Sequence, residues 1–255
     1  MLTRSEEVAG ALQRKLGAVV TLNDDELECL EALESRVKCF PAGTEIVRDG
    51  EPYDQTYVVK RGWAIRFKSL SDGRRQILNF VLPGDFVGLF SALFDVADHS
   101  VSALTDLTVH PVAPASLVSL FGDCPRLAAA VAWSAGRDEA IMSEQVLRVG
   151  RRSAYERTSH IFVELLHRLQ LVGEAEDDSF ELPLTQEILA DTLGLSVVHI
   201  NRTLRRLREN GLVRIRGERV VIGDLDRLAS VAEFSPHYLA ADPLPRGTEA
   251  ALLAS

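Results

Sequence analysis

The sequence predicts an α+β protein in which an N-terminal β-barrel, or jelly roll, is followed by a long helix and a C-terminal winged helix-turn-helix. Three observations predict this order. Glycines at regular intervals separate short β-rich runs between residues 43 and 112. A helical period begins after Pro125. Two short helices joined by a glycine turn, with two β-rich runs after them, occupy residues 185–222.

Residues 43–112 carry the pattern of the barrel. Ile65 and Phe67 alternate with Arg66, which is typical of a strand with one face toward water. The pair Asp72-Gly73 predicts a hairpin turn, because both residues tolerate positive φ. Evenly spaced strands with such turns favour a barrel. The clearest β-rich runs are residues 56–59, 63–67 and 76–81.

Two helices are predicted around the barrel. Residues 22–34 form a short one, capped by Thr21 or Asn23. The helix after Pro125 carries a heptad seam with one acidic interruption. From the seam alone, a helix lying on the barrel and a dimeric coiled coil are equally good interpretations. The seam consists of Ala128, Ala132, Ala135, Glu139, Met142, Val146 and Val149.

A helix-turn-helix is predicted from residue 185 onward. Thr185 can cap the first helix, Gly194 can end it in a left-handed conformation, and Ser196 can cap the second helix. The runs 212–215 and 219–222 then resemble a β-hairpin wing. In this motif the second helix enters the DNA major groove. The buried faces are Ile188, Leu189 and Leu193 on the first helix, and Ile200, Leu204 and Leu207 on the second.

The charge distribution supports nucleic acid as a partner only locally. The chain has 28 Lys+Arg and 37 Asp+Glu, a net charge of −9. Residues 196–219 nevertheless contain seven arginines and two glutamates. The planar arginine fork suits both phosphate and guanine. The competing interpretation is a solvated basic helix pair in another helical domain, but the caps, glycine turn, arginine cluster and wing together favour DNA binding.

The order of elements and two stretches resemble the Crp/Fnr family of bacterial transcription regulators. The stretches are 82–88, which reads Leu-Pro-Gly-Asp-Phe-Val-Gly, and 184–207 in the helix-turn-helix. The resemblance covers about residues 22 to 235. It implies a cyclic-nucleotide-binding-like barrel that reads a signal, a homodimer joined through the long helix, and a palindromic DNA operator. We also expect RNA polymerase as a partner and the cytoplasm as the location.

With this resemblance, the chain divides into five expected segments. They are an N-terminal arm at 1–21, a barrel sensor domain at 22–124, a dimerisation helix at 125–150, a winged helix-turn-helix DNA-binding domain at 151–239, and a flexible tail at 240–255. We expect residues 173–181 to form an acidic surface loop.

The resemblance also assigns the candidate DNA contacts. Arg202 matches the family's base-reading arginine and is the first choice for guanine. Val198 stands where many relatives carry a glutamate that accepts from cytosine, so its contact can only be apolar, for example with a thymine methyl. Thr185 and Gln186 are expected to hold phosphate at the first helix's N-terminus. The remaining expected contacts are Ser196, Val197, His199, Asn201, Arg205 and Arg206.

The chain departs from the relatives that bind cyclic nucleotides. Leu89 stands where they carry a glutamate for the ribose, and His99 where they carry an arginine for the cyclic phosphate. Losing a charged phosphate contact in a closed pocket costs several kcal/mol, on the order of 2–5. We therefore expect that cyclic AMP is not the effector, and the cofactor or effector stays unknown.

The cysteines argue against the iron–sulfur branch of the family. Cys29, Cys39 and Cys124 cannot supply four ligands per chain, and none forms a CxxC pair. We interpret all three as small apolar fillers, with a redox role for Cys39 or Cys124 left open. No metal site is expected. No run of about 18 apolar residues or signal peptide is visible, so no membrane partner is expected.

Two alternative functions remain. A regulator that always binds DNA, without any effector, fits the altered cyclic-nucleotide site. An enzyme built on a cupin-like barrel would need a His-x-His metal pair, which the six histidines do not form. We therefore expect no enzymatic activity. A barrel that only binds a protein partner is disfavoured by the arginine-rich second helix.

Overall fold

The computed structural model describes residues 9–53, 55–89 and 96–253. Two helices, α1 at Ala11–Gly17 and α2 at Asp24–Leu33, precede the barrel. Two more helices follow it, α3 at Pro114–Asp123 and α4 at Pro125–Arg151. The barrel strands are β1 Lys38–Phe40, β2 Glu45–Val47, β3 Thr56–Arg61, β4 Ala64–Ser69, β5 Arg75–Val81, β6 Phe86–Val87, β7 Ser100–Ala103 and β8 Leu107–Val112.

The C-terminal domain begins directly after α4. Its elements are α5 Ala154–Val172, β9 Ala175–Glu176, β10 Ser179–Glu181, α6 Gln186–Leu193, α7 Val197–Glu209, β11 Val213–Arg216, β12 Arg219–Ile222 and α8 Leu225–Ala232. A final helix, α9, spans Arg246–Leu253. The predicted barrel, long helix and winged helix-turn-helix are therefore all present.

The barrel consists of two antiparallel four-stranded sheets, with strand orders β1-β8-β3-β6 and β2-β7-β4-β5. Their inner faces bury an apolar core that includes Val47, Val59 and Val101. The predicted hairpin joins β4 to β5, and Gly73 has a φ of 86° there. Such a pair of facing sheets is the jelly-roll arrangement that the glycine spacing predicts.

The prediction that one face of β4 is open to water is wrong. Ile65 is 1% exposed and belongs to one apolar cluster with Phe80, Phe162 and Leu193. This cluster joins the outer face of the barrel to the core of the C-terminal domain. Arg66 points to the other side, toward α4. The second domain covers one face of the strand and α4 covers the other, which local alternation cannot reveal.

The expected loop at 173–181 is also wrong. Gly173 ends α5 with a φ of 75°, and β9 and β10 then form a hairpin. β10 pairs with β12, so the third sheet has the order β11-β12-β10-β9. Phe180 is 1% exposed and enters the domain core. One apolar residue in an otherwise polar run is a weak signal for a strand, and the pairing with the wing supplies the rest.

The described residues near both ends of the chain, 9–20 and 240–253, pack on the body of the molecule, whereas an arm at 1–21 and a flexible tail at 240–255 are expected from the sequence. In α1, Arg14 donates to the backbone oxygen of Val172 at the end of α5, at 2.7 Å. From the other terminus, the Leu244 amide donates to the Val19 oxygen at 3.0 Å. Glu249 in α9 pairs with Arg126 at 3.2 Å. Residues 240–253 therefore run back from the C-terminal domain to the start of α4.

A buried charge cluster ties the two domains together. Asp85, from the turn at residues 82–88, pairs with Lys15 at 2.7 Å and with Arg168 of α5 at 2.8 Å. Arg168 also donates to the side chain of Asn79 and the backbone oxygen of Phe80. All three charged side chains are at most 11% exposed. The turn, the first helix and the C-terminal domain thus share one set of ion pairs.

A second set of polar contacts joins the barrel and α4 to the C-terminal end of α6. Arg75 on the β4–β5 hairpin pairs with Asp191 at 2.8 Å. The amides of Gln76 and Gln145 donate to the backbone oxygen of Thr192, at 3.1 and 2.6 Å. The Thr192 carbonyl lies in the last turn of α6, where a helix leaves its oxygens without internal partners. The barrel and α4 therefore together cap the C-terminal end of α6.

The interpretation of all three cysteines as apolar fillers is wrong. A disulfide joins Cys29 of α2 to Cys124, the residue before α4. Cys39 is free and exposed on β1. We expect thiol titration of the unfolded protein to count one thiol before reduction and three after it. A count of three before reduction, in protein purified without reductant and handled anaerobically, would contradict this pairing.

Candidate nucleic-acid interface

The two helices of the motif begin at side-chain caps. The Thr185 hydroxyl accepts from the Ile188 amide at 3.2 Å, and the Ser196 hydroxyl accepts from the His199 amide at 3.3 Å. Gly194 has a φ of 61° and ends α6. Side-chain caps of this kind satisfy amides that a helix start leaves free. Thr185 and Ser196 therefore set where α6 and α7 begin, in addition to their expected DNA contacts.

α7 has one buried face and one open face. Ile200, Thr203 and Leu207 are buried against the domain core. The opposite side carries Val198 and Arg202, one turn apart and both exposed. Ser196, Val197, His199 and Asn201 are exposed beside them. The open face lies at the N-terminal part of the second helix, which is the part that reaches base edges in helix-turn-helix motifs.

The arginines of the basic segment, residues 196–219, differ in whether their guanidinium groups already have a partner within the protein. Arg202 has no ion pair with any residue that the structure describes. Arg205 pairs with Glu209 at 2.7 Å on an exposed helix face. Arg206 lies over the ring of Tyr155, 4.2 Å from its centroid. Arg219, in the wing, is paired with Glu176 at 2.6 Å. The guanidinium group of Arg202 is thus more available for binding DNA than the partnered groups of Arg205, Arg206 and Arg219.

An open groove lies between α6, α7 and the wing. Thr185 and Gln186 line one wall, Asn201 and Arg205 another, and Ile215 of β11 the third. Thr185, the cap, and Gln186, the first residue of α6, are both exposed at the helix N-terminus, where backbone amides favour anions. The structure thus brings these four polar site residues together, whereas His199 and Arg206 lie on the other flank of α7.

Arg208 also lines this groove but is not among the expected contacts. It lies seven residues after Asn201 in α7, and the helical period places both on one flank. On the wing, Arg214 and Arg216 are exposed on β11. The sequence contains the signal for these three arginines, because all belong to the local basic cluster. Their placement depends on the wing folding back beside α7.

The barrel contains a second candidate site, a cavity of about 370 Å³ between the sheets and α4. Leu89 and His99, the two residues that depart from the cyclic-nucleotide pattern, both line it. Most of the wall is apolar. The remaining described lining residues include Val47, Tyr53, Arg66, Phe86, Val96, Asp98, Ala135, Asp138, Glu139 and Met142.

The charges of this cavity do not favour an anion. Burial and the nearby charge of Arg66 lower the pKa of His99, although Asp98 accepts a hydrogen bond from its ring at 2.5 Å. The lowered pKa favours the neutral form of the His99 ring. Arg66 is the one cation among the described lining residues, and it lies 3.5 Å from Asp138. Arg66 as a lining residue is a feature that the strand pattern does not predict.

One stripe of α4 is open to solvent. Leu127, Ala130 and Val131 are buried against the barrel, so the helix does lie on it. The predicted seam nevertheless contributes Ala132, Glu139 and Val146 to the exposed side, with Val146 66% exposed. The two interpretations of the seam are therefore compatible, because the helix packs on the barrel with one side and presents the stripe with the other.

Among the described residues, no group of three or more His, Cys, Asp or Glu side chains is placed to hold a metal ion. The helices within those same residues are too short or too polar to cross a membrane.

Two family models match the chain. A cyclic nucleotide-binding domain matches residues 37–123, and a Crp-like helix-turn-helix domain matches residues 156–231. The chain is 30% identical over 212 residues to the nitrogen fixation regulation protein FixK of Bradyrhizobium diazoefficiens, covering 83% of this chain and 88% of the relative. It is 27% identical to the transcriptional activator protein FnrL of Cereibacter sphaeroides, covering 82% and 85%.

The fold also resembles that of solved structures. FixK2 from Bradyrhizobium japonicum aligns with a TM-score of 0.69 and 27% identity, covering 78% of this chain and 98% of that one. The regulator TTHB099 from Thermus thermophilus aligns with a TM-score of 0.61 and covers 78% and 97%. At 24% identity, this second likeness concerns the fold alone.

Proposed function

Because the chain belongs to the Crp/Fnr family of transcription regulators, we propose that its α7 face reads a palindromic operator, with Arg202 as the principal base contact. Regulators of this family bind DNA through the helix-turn-helix and act as dimers. The observation that carries the proposal is the open face of α7, where Arg202 projects without an ion-pair partner in the described part of the chain. A bidentate arginine–guanine contact is the commonest specific contact of this kind.

The other site residues divide into base and phosphate contacts. Val197, Val198, His199 and Asn201 lie at the N-terminal end of α7 and reach the bases or the adjacent backbone. Thr185 and Gln186 hold phosphate at the start of α6. Arg205 and Arg206 flank the helix, and their existing partners favour backbone positioning over base reading. Arg208, Arg214 and Arg216 add phosphate contacts from the groove and the wing.

The experiment that tests this proposal is selection of binding sequences from random duplexes by the purified full-length protein. We expect an inverted repeat whose half-sites are separated by roughly one helical turn. The half-sites should lack the preference that depends on a glutamate at position 198. Binding that stays equal for all sequences, at a salt concentration that removes non-specific contacts, would refute a sequence-specific regulator.

We propose the barrel cavity as the site of an effector that re-aims the two recognition helices. It adjoins α4 through Ala135, Asp138 and Met142, so a ligand there touches the helix that also bears the exposed stripe. Such a ligand acts only through different affinities for two dimer arrangements. A regulator without any effector, always competent for DNA, is the second candidate, and Leu89 and His99 in the cavity wall favour it.

We expect no binding of cyclic AMP at micromolar concentrations. The lowered pKa of His99 favours a neutral ring facing a cyclic phosphate, and the one cation among the described lining residues, Arg66, is already beside Asp138. Isothermal titration calorimetry of the full-length protein measures this directly. Saturable micromolar binding of cyclic AMP, competed by cyclic GMP, would contradict the assignment of the cavity.

We expect that Glu139→Ala strengthens the dimer. Glu139 is exposed at the middle of the α4 stripe, where the copy of the same residue would approach it across a two-fold axis. Two like charges about 4 Å apart cost on the order of 1 kcal/mol even in water. Sedimentation at low salt should give a dimer dissociation constant about fivefold lower for the variant. The exposed Glu174→Ala is the matched control, and an equal change in both would contradict this placement.

We further propose RNA polymerase as a partner and no catalytic role. FnrL, to which this chain is similar, is a transcriptional activator protein. Because an activator increases transcription by RNA polymerase, that enzyme is the proposed partner. Co-sedimentation of polymerase with the operator-bound protein tests the first part. Catalytic turnover by protein that holds stoichiometric iron or zinc would contradict the absence of a catalytic role and would favour the cupin-like enzyme instead.

A further inference from the structure

Arg137, in the middle of α4, is a buried cation whose hydrogen bonding is incomplete within the described chain. The residue is 6% exposed, and its guanidinium carbon lies 5.2 Å from the centre of the Trp133 ring. Its Nη1 atom is buried and meets no hydrogen-bond acceptor among the described residues. A buried charged donor is costly unless it is paired or hydrogen-bonded. An acceptor from outside the protein would therefore stabilise this side chain.

The carboxylate of Asp85, which faces the same region, is already occupied by other donors. Its Oδ1 atom accepts from Lys15 at 2.7 Å. Its Oδ2 atom accepts from Arg168 at 2.8 Å and from the Leu82 amide at 2.9 Å. Two cations thus share one negative charge, and Arg137 adds a third cation beside them.

The carboxylate of Asp138 is shared as well. It follows Arg137 in α4 and lies 3.5 Å from Arg66 of β4. Burial and the nearby charge of Arg168 lower the pKa of the Arg137 guanidinium to about 10, against the opposing charges of Asp85 and Asp138. Arg137 stays protonated at neutral pH, but its charged form is less stable here than in water.

A small cavity lies where these groups meet. Its volume is about 10 Å³, which is room for roughly one water-sized particle. Glu164 lies 3.9 Å from Arg168 but also accepts from Arg148, so it does not compensate the positive charge of the wall. Among the described residues, the charged members of the wall are three cations and two carboxylates, Lys15, Arg137, Arg168, Asp85 and Asp138.

We propose that this cavity is a halide site, in which one chloride ion accepts from Arg137. A monatomic anion matches the space, whereas a phosphate or a carboxylate is larger than one water-sized particle. The charge of the ion offsets the surplus of cations, which a water molecule cannot do. This proposal is independent of how the protein recognises DNA.

The position of the cavity gives the ion a structural effect. Its charged wall comes from α1, the turn at residues 82–88, α4 and α5. These cations surround one point only while the C-terminal domain is packed on the barrel. A bound chloride therefore stabilises the packed arrangement of the two domains, and it adds to the free energy of unfolding by mass action.

Urea unfolding of the full-length protein tests the site, with chloride replaced stepwise by methanesulfonate at fixed sodium concentration. The ionic strength then stays constant, so general screening does not change. We expect the unfolding midpoint to rise with chloride and then to level off. At a chloride concentration ten times its dissociation constant, the folding equilibrium constant should be about elevenfold higher than without chloride. Equal midpoints in the two salts would overturn the proposal.

The variant Arg137→Met assigns the chloride response to this cavity. Methionine keeps an unbranched side chain but has no charge, so the response should disappear, whatever the stability of the variant without chloride. The matched control is Arg48→Met, because Arg48 is exposed and pairs with Glu45 on the surface. The control should respond to chloride as the wild-type protein does. A full chloride response in Arg137→Met would contradict the site.

Crystals of the wild-type protein soaked in sodium bromide provide a measurement that needs no variant. Bromide scatters X-rays anomalously and has the same charge as chloride. We expect an anomalous peak within hydrogen-bond distance of the Arg137 Nη1 atom. Anomalous peaks confined to exposed arginines, or ordinary water density in the cavity without an anomalous signal, would each show that the cavity does not select a halide.

Discussion

Asp85→Asn is expected to destabilise the protein by about 3–5 kcal/mol, the usual cost of removing one partner from a buried ion pair. The substitution keeps the shape of the side chain but leaves Lys15 and Arg168 facing each other as buried cations. It also weakens the acceptor for the Leu82 amide, which Asp85 holds at 2.9 Å. A loss of this size is a large share of the 5–15 kcal/mol that stabilises a typical protein. Urea unfolding followed by circular dichroism measures it.

The matched control is Asp72→Asn. Asp72 pairs with Arg74 at 2.9 Å, but both side chains are more than half exposed. Removal of an exposed pair costs at most about 1 kcal/mol. If both variants unfold at the same urea concentration, the ion pairs of Asp85 contribute nothing beyond a surface contact.

The ion pairs of Asp85 predict how the stability of the folded protein depends on pH. Burial alone would raise the pKa of Asp85, but the charges of Lys15 and Arg168 hold it well below its ordinary value. The unfolded chain therefore binds this proton at a higher pH than the folded chain. The stabilisation is complete above about pH 4, the ordinary pKa of an aspartate, and is lost as the pH falls further. The wild-type protein should lose this part of its stability in acid, and Asp85→Asn should lack that component.

Arg202→Ala is expected to lower operator affinity by about 1–3 kcal/mol for each guanine contact. A dimer makes this contact twice, so the total loss is larger than for a single half-site. The fold should be unaffected, because Arg202 is exposed and makes no ion pair with the described residues. Gel shifts at fixed salt, with the selected operator and a scrambled duplex, separate specific from non-specific binding. Unchanged operator affinity would refute the assignment.

Arg205→Ala is the comparison for this prediction. Arg205 lies on the same helix and carries the same charge, but it pairs with Glu209 and lines the groove toward α6. A phosphate contact adds to affinity for all sequences and to the salt dependence. We therefore expect Arg205→Ala to weaken operator and scrambled duplex alike. A loss confined to the operator would show that Arg205 reads a base.

The helix-turn-helix could be predicted almost to the residue. Its signals are local: Thr185 and Ser196 accept from amides three residues ahead, and Gly194 needs a positive φ. The wing strands are likewise formed by neighbouring segments. Such local interactions can be predicted from the sequence because both partners lie within the same short segment of the chain.

The relation between the domains could not be predicted in this way. Ile65 and Arg66 alternate as an amphipathic strand should, but the second domain covers one face and α4 the other. The hairpin of β9 and β10 depends on β12, about 40 residues later. The Cys29–Cys124 disulfide and the Leu244–Val19 hydrogen bond join still more distant positions. In each of these pairs, the sequence around one residue contains no signal for the distant residue that it contacts.

The path of residues 240–253 has a consequence for how the protein is made. Leu12, Leu16 and Val19 near the N-terminus share an apolar cluster with Ala241 and Leu244 near the C-terminus. During synthesis, the first helix and the barrel emerge long before the segment that covers them. That cluster can close only after residues 241–244 have left the ribosome, so a segment made more than 200 residues later completes the packing of the first helix.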